Sequence, residues 1–508
     1  MGATTVPETI LRPFLGWEVL LGQALRSGTG RKRNVLVAPK NASGGTAAVN
    51  TLYRLPDETT AATLGGYGSP AHRQRIVARE ANRNVEHWVV FAADADVATQ
   101  GTGTTTVTGT SASESKTMKI RIGDTTVRCS IVSGDLLAVV GAAMAAAINA
   151  DTSLPVTAVY NAGTLTLTAK ANGTGSSSIE WYITDVPAGI TLGTPIGACA
   201  AGTGVPKWAD AYAAIEASTY KFSYIVPATA TLTEINTGTG NLRDRLGGDA
   251  LASVRKRMQV ILANKDTQAG QATFCDGLDT GTVTAAEPGW RFSTLWYEEG
   301  LVEEWVFAAR WASQRCGLEE SDPNVVLGGF DGLVITGAVP PPAELGNPLP
   351  DDIEAALHSG GSPVVYDHEA GTCRLILSIT CKDTTASEED LRAFCTNKIT
   401  CCDFIADDLE VQEYDKYNGK KVASDDATGL PPDGLPKNTT TPSLIGDFVC
   451  DRLNAYHYGE KGLIEPVVRS AVTTERNVVN PRRVDHWADV SVIPWPLQFA
   501  GEIHEVSP

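Results

Sequence analysis

From about residue 205 the chain alternates helix-patterned and strand-patterned segments. WADAYAAIEAS is followed by KFSYIVPA, LASVRKRM by QVILANKD, and then come WRFSTLWYEE, GLVEEWVFAARWAS and LVITGAVPPP. Short apolar runs between amphipathic stretches are strands wet on neither face, and such strands need helices packed over them. The alternation therefore predicts a helix-covered sheet core across 204–384. A short helix over DDIEAALHSG leads into the hairpin SPVVYDHEAGTCRLILSIT, which turns at DHEAG.

The rest of the chain is patterned differently, so the fold class is multidomain, α+β or α/β. Residues 1–22 read as an extended arm. Residues 23–96 read as an N-terminal α/β domain with a strand at NVLVAPK, helices at TAAVNTLYRL and SPAHRQRIVAREANRN, and a buried strand at EHWVVFAAD. Ser69 before Pro70 is an N-cap followed by an N1 proline. Between 97 and 203 the composition shifts to Thr, Ser, Gly and Ala, with hairpin-like strands turning at Gly123-Asp124 and at Asn161-Ala162-Gly163. One alanine-rich helix, capped near Asp135, interrupts them, and glycine-rich seams flank the segment, so it reads as a β-rich inserted outer domain. Residues 385–508 read as an α+β C-terminal domain. It has a capping box from Ser387 to Asp390 ahead of the helix LRAFCTNKI, a polar loop, the helix LIGDFVCDRLNAYHYGEKG and closing strands.

The last strand has a period of two: Ile493, Trp495, Leu497, Phe499, Gly501 and Ile503 share one face. Pro494 and Pro496 remove ladder donors on one side, which suits an edge strand. It reads either as the closing strand of its own domain or as one donated to another molecule.

A net charge of −18 over 508 residues argues against wrapping a nucleic-acid backbone, which needs clustered Lys and Arg. Ten cysteines show no CxxC pair, and seven histidines show no HExxH or HxH spacing, so no metal or cofactor is expected. No secretory signal and no membrane insertion are expected either. Ser69 with His72 lacks the glycine spacing of a nucleophile elbow. His358, Ser362 and Asp367 are near in sequence only. Acidic pairs at Glu298 and Glu299, Glu303 and Glu304, and Asp407 and Asp408 read as solvated faces. No catalytic constellation emerges, and the chain is expected not to be an enzyme. A serine hydrolase on the α/β region and a β-rich surface-binding protein using 97–203 are the rival readings.

Several segments, in order, resemble one family, the contractile tail sheath proteins of Mu-like phages. NVLVAPKNASGGTAAVNTLYRLPDETTAATLGGYGSPAHR resembles the family's strand, helix and Gly-x-Gly-Ser element, here Gly66, Gly68 and Ser69. The strands of 97–203 are similar to the domain such proteins carry outside, and ITGAVPPPAELGNPLPDDIEAALHSGGSPV resembles their passage into a conserved hairpin. LIGDFVCDRLNAYHYGEKGLIEPVVRSAVTTERNVVNPRRVDHWADVSVIPWPLQFAGEI parallels the family's ending.

The resemblance implies a structural subunit of a virion tail, assembled in the host cytoplasm. Copies of itself stack as hexameric rings in a helical sleeve around a tail tube protein, with baseplate and tail terminator proteins at the ends. It implies strand addition between neighbours, for which Ile10, Phe14 and Trp17 near the N-terminus and Ile493, Trp495, Leu497, Phe499 and Ile503 near the C-terminus are the expected inter-subunit contacts.

Overall fold

The computed structural model describes residues 32–229, 231–236, 241–249, 256–279, 288–381, 395–425, 438–458, 462–476 and 484–493. The expected capping box at Ser387 to Asp390 and the N-terminal arm lie outside the described residues, as does most of LASVRKRM. The chain forms two compact units, one of Arg31–Glu320 with Leu327–Thr396, the other including Ser321–Val326 and the residues from Asn397 onward.

In the larger unit the chain runs β1 (Arg33–Pro39), β2 (Leu52–Leu55), α1 (Glu58–Gly65), α2 (Pro70–Ala81) and β3 (Glu86–Ala92). It continues through β4 (Gln100–Gly109), β5 (Lys116–Ile122), β6 (Thr125–Ile131), α3 (Leu137–Ala150), β7 (Val156–Asn161), β8 (Thr164–Asn172), β9 (Glu180–Thr184), β10 (Ile190–Leu192) and β11 (Ile196–Ala198). It returns as α4 (Trp208–Glu216), β12 (Tyr224–Pro227), α5 (Leu232–Asn236), α6 (Leu242–Asp249), β13 (Gln259–Asn264), α7 (Gln268–Asp279) and β14 (Phe292–Trp296). The last elements of the unit are α8 (Glu304–Ser321), β15 (Gly328–Val334), α9 (Pro350–His358), β16 (Gly361–Asp367) and β17 (Thr372–Leu377).

Nine of these strands form one sheet in the order β15-β17-β16-β14-β13-β12-β1-β3-β2. Its centre is parallel, from β16 to β3, while β2 and the β15–β17 pair are antiparallel at the two edges. The central strands are buried throughout, as in β13 and β14, which is why they read as continuous apolar runs rather than alternating ones. Because β1 pairs with β12, residues 33–92 and 224–377 build one sheet rather than the two separate domains expected at 23–96 and 204–384.

Two local expectations differ. Residues 46–55 were expected to be helical, yet Leu52–Leu55 pair antiparallel with β3. Tyr53 and its neighbours fit a half-buried pleat, and the open edge of β3 decides the matter over local propensity. The helix that the pattern concealed is α1, whose cap Asp57 accepts from the Thr60 amide at 2.7 Å. Asp135 does not cap α3, since its carboxylate takes the Val132 amide instead and Leu136 is the N-cap.

Between β3 and α4 two four-stranded sheets, β10-β4-β8-β7 and β11-β9-β5-β6, share a core with α3 that includes Met118, Ile120, Met144, Ile148, Leu165 and Trp181. Both expected turns are present, with Ile122 opposite Thr125 and Asn161 opposite Thr164. The glycine-rich stretches are not loose seams. A Cβ on Gly103 or on Gly197 would meet the Trp181 ring within 2.4 Å, so bare backbone is what lets that indole into the core. Ingoing and outgoing chains run side by side, with Thr99 bridged to Thr203 and the Lys207 amide donating to the Ala93 carbonyl at 2.8 Å.

The smaller unit contains α10 (Thr396–Tyr417, entered from the larger unit), β18 (Lys421–Val422), β19 (Thr439–Thr440), α11 (Pro442–Tyr458), β20 (Val472–Arg476) and β21 (Val484–Ala488). Of the expected helix LRAFCTNKI, residues 396–399 open the much longer α10, Cys395 precedes it, and 391–394 lie outside the described residues. Cys401, Ile405, Val449, Leu453, Leu463 and Ile464 are its core. No helix among the described residues is long and apolar enough to cross a membrane.

Candidate functional site

In an open α/β sheet the ligand crevice lies outside the carboxyl ends of the strands, where the strand order reverses. Here that point is between β1 and β12, since the chain leaves β1 for β3 on one side and β12 for β13 on the other. The crevice is occupied. Asn172, Gly175, Ser176 and Ile179 of the inserted region sit beside Pro39, Ala228, Trp208 and Trp305, leaving a cavity of about 20 Å³, room for about one water.

A buried ionic latch holds the insertion there. The Arg73 guanidinium, on α2, reaches Asp124 at 2.8 Å and Glu303 at 2.9 Å, and Arg310 on α8 reaches Asp124 at 3.3 Å and Glu80 at 3.0 Å. Asp124 sits in the turn between β5 and β6, so one carboxylate of the insertion is gripped by two arginines of the core. Gly123 permits this approach, because a Cβ there would meet Glu303 at 2.7 Å and Arg73 at 2.9 Å. Burial pushes the Asp124 carboxyl up, but the Arg73 and Arg310 charges outweigh it and hold it below the usual range. A second grip is Lys265, 2.7 Å from Glu180 of β9 and 4.0 Å from Glu304. Arg121 adds bonds to the Pro340 and Val339 carbonyls.

These contacts correct the reading of Glu303 and Glu304 as solvated, and Asp408 departs from it too, whereas Glu299 is exposed as expected. Glu303 and Asp408 are fully buried and Glu304 is 6% exposed. The available signal was Glu303-Glu304 standing between Leu301-Val302 and Trp305-Val306-Phe307, a charge pair inside an apolar run that demands a buried partner.

Sequence-derived nucleophile candidates are engaged otherwise. Ser69 Oγ caps α2 by accepting from the His72 amide at 3.2 Å, and His72 Nδ1 accepts from the Gly68 amide at 3.0 Å, so the two side chains serve different backbone groups. Ser362 Oγ bonds the Ile379 backbone, His358 lies 3.4 Å from Glu354, and Asp367 takes the Ala370 amide and Arg374. None of the ten cysteines is joined in a disulfide. No cluster of three or more His, Cys, Asp or Glu suited to a metal occurs among the described residues.

The smaller unit offers a different kind of site, an antiparallel ribbon of β20 and β21 laid on α11. Val472 is opposite Ala488 and Arg476 opposite Val484. Val472 and Thr474 turn inward, whereas Thr473 and Glu475 face solvent. Gly446 on α11 makes the close seat possible, since a Cβ there would meet Arg469 at 2.2 Å and Thr474 at 2.5 Å. Anchors at the foot of the ribbon are specific. Asn454 donates to the Val467 carbonyl at 2.8 Å and accepts its amide at 3.0 Å, standing in for a strand neighbour. Arg469 binds Asp447 at 2.6 Å, and His486 on β21 lies 3.2 Å from Glu413 on α10. Beneath, Asp408 accepts from Tyr456 and Arg452, tying α10 to α11. Among the described residues no third strand pairs with either edge of the ribbon.

Of the expected inter-subunit residues, Ile493 is described. Its amide donates to the Leu463 carbonyl at 3.1 Å, its carbonyl accepts from Asn324, and Val492 is bridged to Ile464. Ile493 thus lies against its own unit. Ile10, Phe14, Trp17, Trp495, Leu497, Phe499 and Ile503 lie outside the described residues.

No protein-family model matches the chain, and no curated protein matches it in sequence. Among solved structures it is similar to a sheath tail protein from Listeria innocua, at 14% identity and a TM-score of 0.44 over 93% of this chain and 95% of that one. A sheath tail protein from Desulfitobacterium hafniense gives 14% and 0.44 over 94% and 100%, and a chain of the anti-feeding prophage baseplate gives 8% and 0.45 over 98% and 100%.

Proposed function

We propose that the chain is a subunit of a contractile tail sheath. Copies assemble as stacked hexameric rings into a helical sleeve around a tail tube, bounded by baseplate and tail terminator proteins, and the sleeve shortens to drive the tube through a cell envelope. The observation that carries this reading is the ribbon of β20 and β21. An isolated two-stranded sheet is marginal in water, yet this one is seated on a dedicated helical platform and, among the described residues, has no third strand paired to it. Strand addition from neighbouring copies, through segments containing Phe14 and Trp17 and through Trp495 and Leu497, would complete it. Each added ladder bond contributes about 0.5–1.5 kcal/mol, so a five-residue register gives a reversible tie, multiplied along a polymer. The resemblance of motifs along the whole sequence and the crevice filled by the chain's own insertion support the same reading.

Negative-stain microscopy of the purified chain at high concentration tests it. Hollow tubes or stacked rings are expected. A strictly monomeric protein, or covalent labelling by a fluorophosphonate probe, would overturn it in favour of a binding protein or a hydrolase. Removing residues 1–20 is expected to abolish polymerisation while leaving the larger unit folded.

A further inference from the structure

Two buried thiols lie outside everything the assembly reading uses. Cys275, on α7, and Cys381, just beyond β17, are both 0% exposed. Both converge on Gly360, the second of the two residues between α9 and β16. The Cys275 thiol donates to the Gly360 carbonyl at 3.3 Å, and a Cβ placed on Gly360 would meet Cys381 Cα at 2.8 Å. Thr294 Oγ1, on β14, is 3.1 Å from Cys381 Sγ, and the Thr294 and Cys381 side chains both lie close enough to Cys275 to perturb its thiol. The Gln271 amide donates to Cys275 Sγ at 2.9 Å, the placement that would stabilise a thiolate there.

We propose that Cys275 and Cys381 are an oxidisable pair that closes into a disulfide, stapling α7 to the chain that leaves β17. Two S–H bonds break and one S–S bond forms. The two protons and two electrons pass to a small azo oxidant, which becomes a hydrazine, or to a low-molecular-weight disulfide, which becomes two thiols. In the disulfide case one thiolate attacks the reagent, forming a mixed disulfide and releasing one thiol, and the second cysteine displaces the other. Burial pushes the Cys275 thiol well above its ordinary value, so the reaction is slow at neutral pH and faster in mild alkali. The staple stays open where glutathione keeps thiols reduced and closes in oxidising surroundings. Gly360 is part of the device, because its positive φ of 80° and lack of a side chain let the turn pass beside Cys381.

The test uses the full chain treated with diamide at pH 8.5, alkylated in denaturant and mapped without reduction. A linked Cys275–Cys381 peptide is expected, appearing later than modification of solvent-exposed Cys402, lost on reduction and absent from C381S. Recovery of both cysteines as alkylated thiols after Cys402 has been consumed would overturn the proposal, and so would linkage of either one to a different cysteine. The mapping is decisive on the unmodified chain, so it does not depend on whether C381S folds.

Discussion

The junction of the insertion with the α/β sheet and the ribbon on α11 solve opposite problems. At the junction the charges are buried or half-buried and each has an opposite partner, with Arg73 between Asp124 and Glu303 and Lys265 between Glu180 and Glu304. At the ribbon the inner face is anchored while Thr473 and Glu475 stand in solvent, and no third strand pairs with it among the described residues. Buried pairs cost much to separate and specify one arrangement, whereas an open edge costs little to fill and can be exchanged. The larger unit, insertion included, is thus held in one arrangement by matched charges, a constraint that the ribbon does not share.

The strongest way to break this contrast is R73A. It leaves Glu303 without its cation and Asp124 with Arg310 alone, and a loss of about 3–5 kcal/mol is expected in urea unfolding of the larger unit. Replacing Arg73, Asp124 and Glu303 together by apolar residues of similar size should recover most of that loss. Next is G446V, which forces a branched side chain against Arg469 and Thr474. About 1–3 kcal/mol of local overpacking is expected, with polymerisation lost and the larger unit's unfolding unchanged. A ribbon that does not support assembly would leave G446V polymerising like the unmodified chain.

Acid sharpens the comparison further. His87 is buried on β3 with its Nδ1 lacking a hydrogen-bond partner among the described residues, and burial lowers its pKa to about 3 from 6.5. The folded state keeps the ring neutral while the unfolded chain protonates it below 6.5, so stability falls with pH from about 6.5 toward 3. Between pH 7 and pH 5 His87 accounts for about 2 kcal/mol, and H87L should flatten that part of a thermal-unfolding profile. Asp124, held low in the folded state, adds its own loss only at more acidic pH, as its carboxylate protonates. The smallest effect belongs to K207A, which removes the exposed pair with Asp96 at 2.8 Å. It should leave urea unfolding unchanged.

Elements whose local pattern and tertiary setting agree were legible in the sequence. Ser69-Pro70 announced α2, and the turns at Gly123-Asp124 and Ala162-Gly163 announced their hairpins. What escaped was decided by distant partners. Residues 52–55 became β2 because β3 offers an edge, and the join of β1 to β12 crosses an insertion that no periodicity can see past. The glycines around 101 and 197 look like linkers in a string and prove to be clearances for Ser176 and Trp181. Of the ribbon, the strands and the helix beneath were visible, but the roles of Gly446 and Asn454 depend on side-chain geometry alone.

The paired ingoing and outgoing chains at Ala93–Lys207 and Thr99–Thr203 make the insertion a socketed module. A foreign domain with adjacent termini could be spliced at that socket without re-laying the nine-stranded sheet. A graft carrying a carboxylate where Asp124 stands would meet Arg73 and Arg310, whereas one without it would leave those arginines to Glu303 and Glu80 alone.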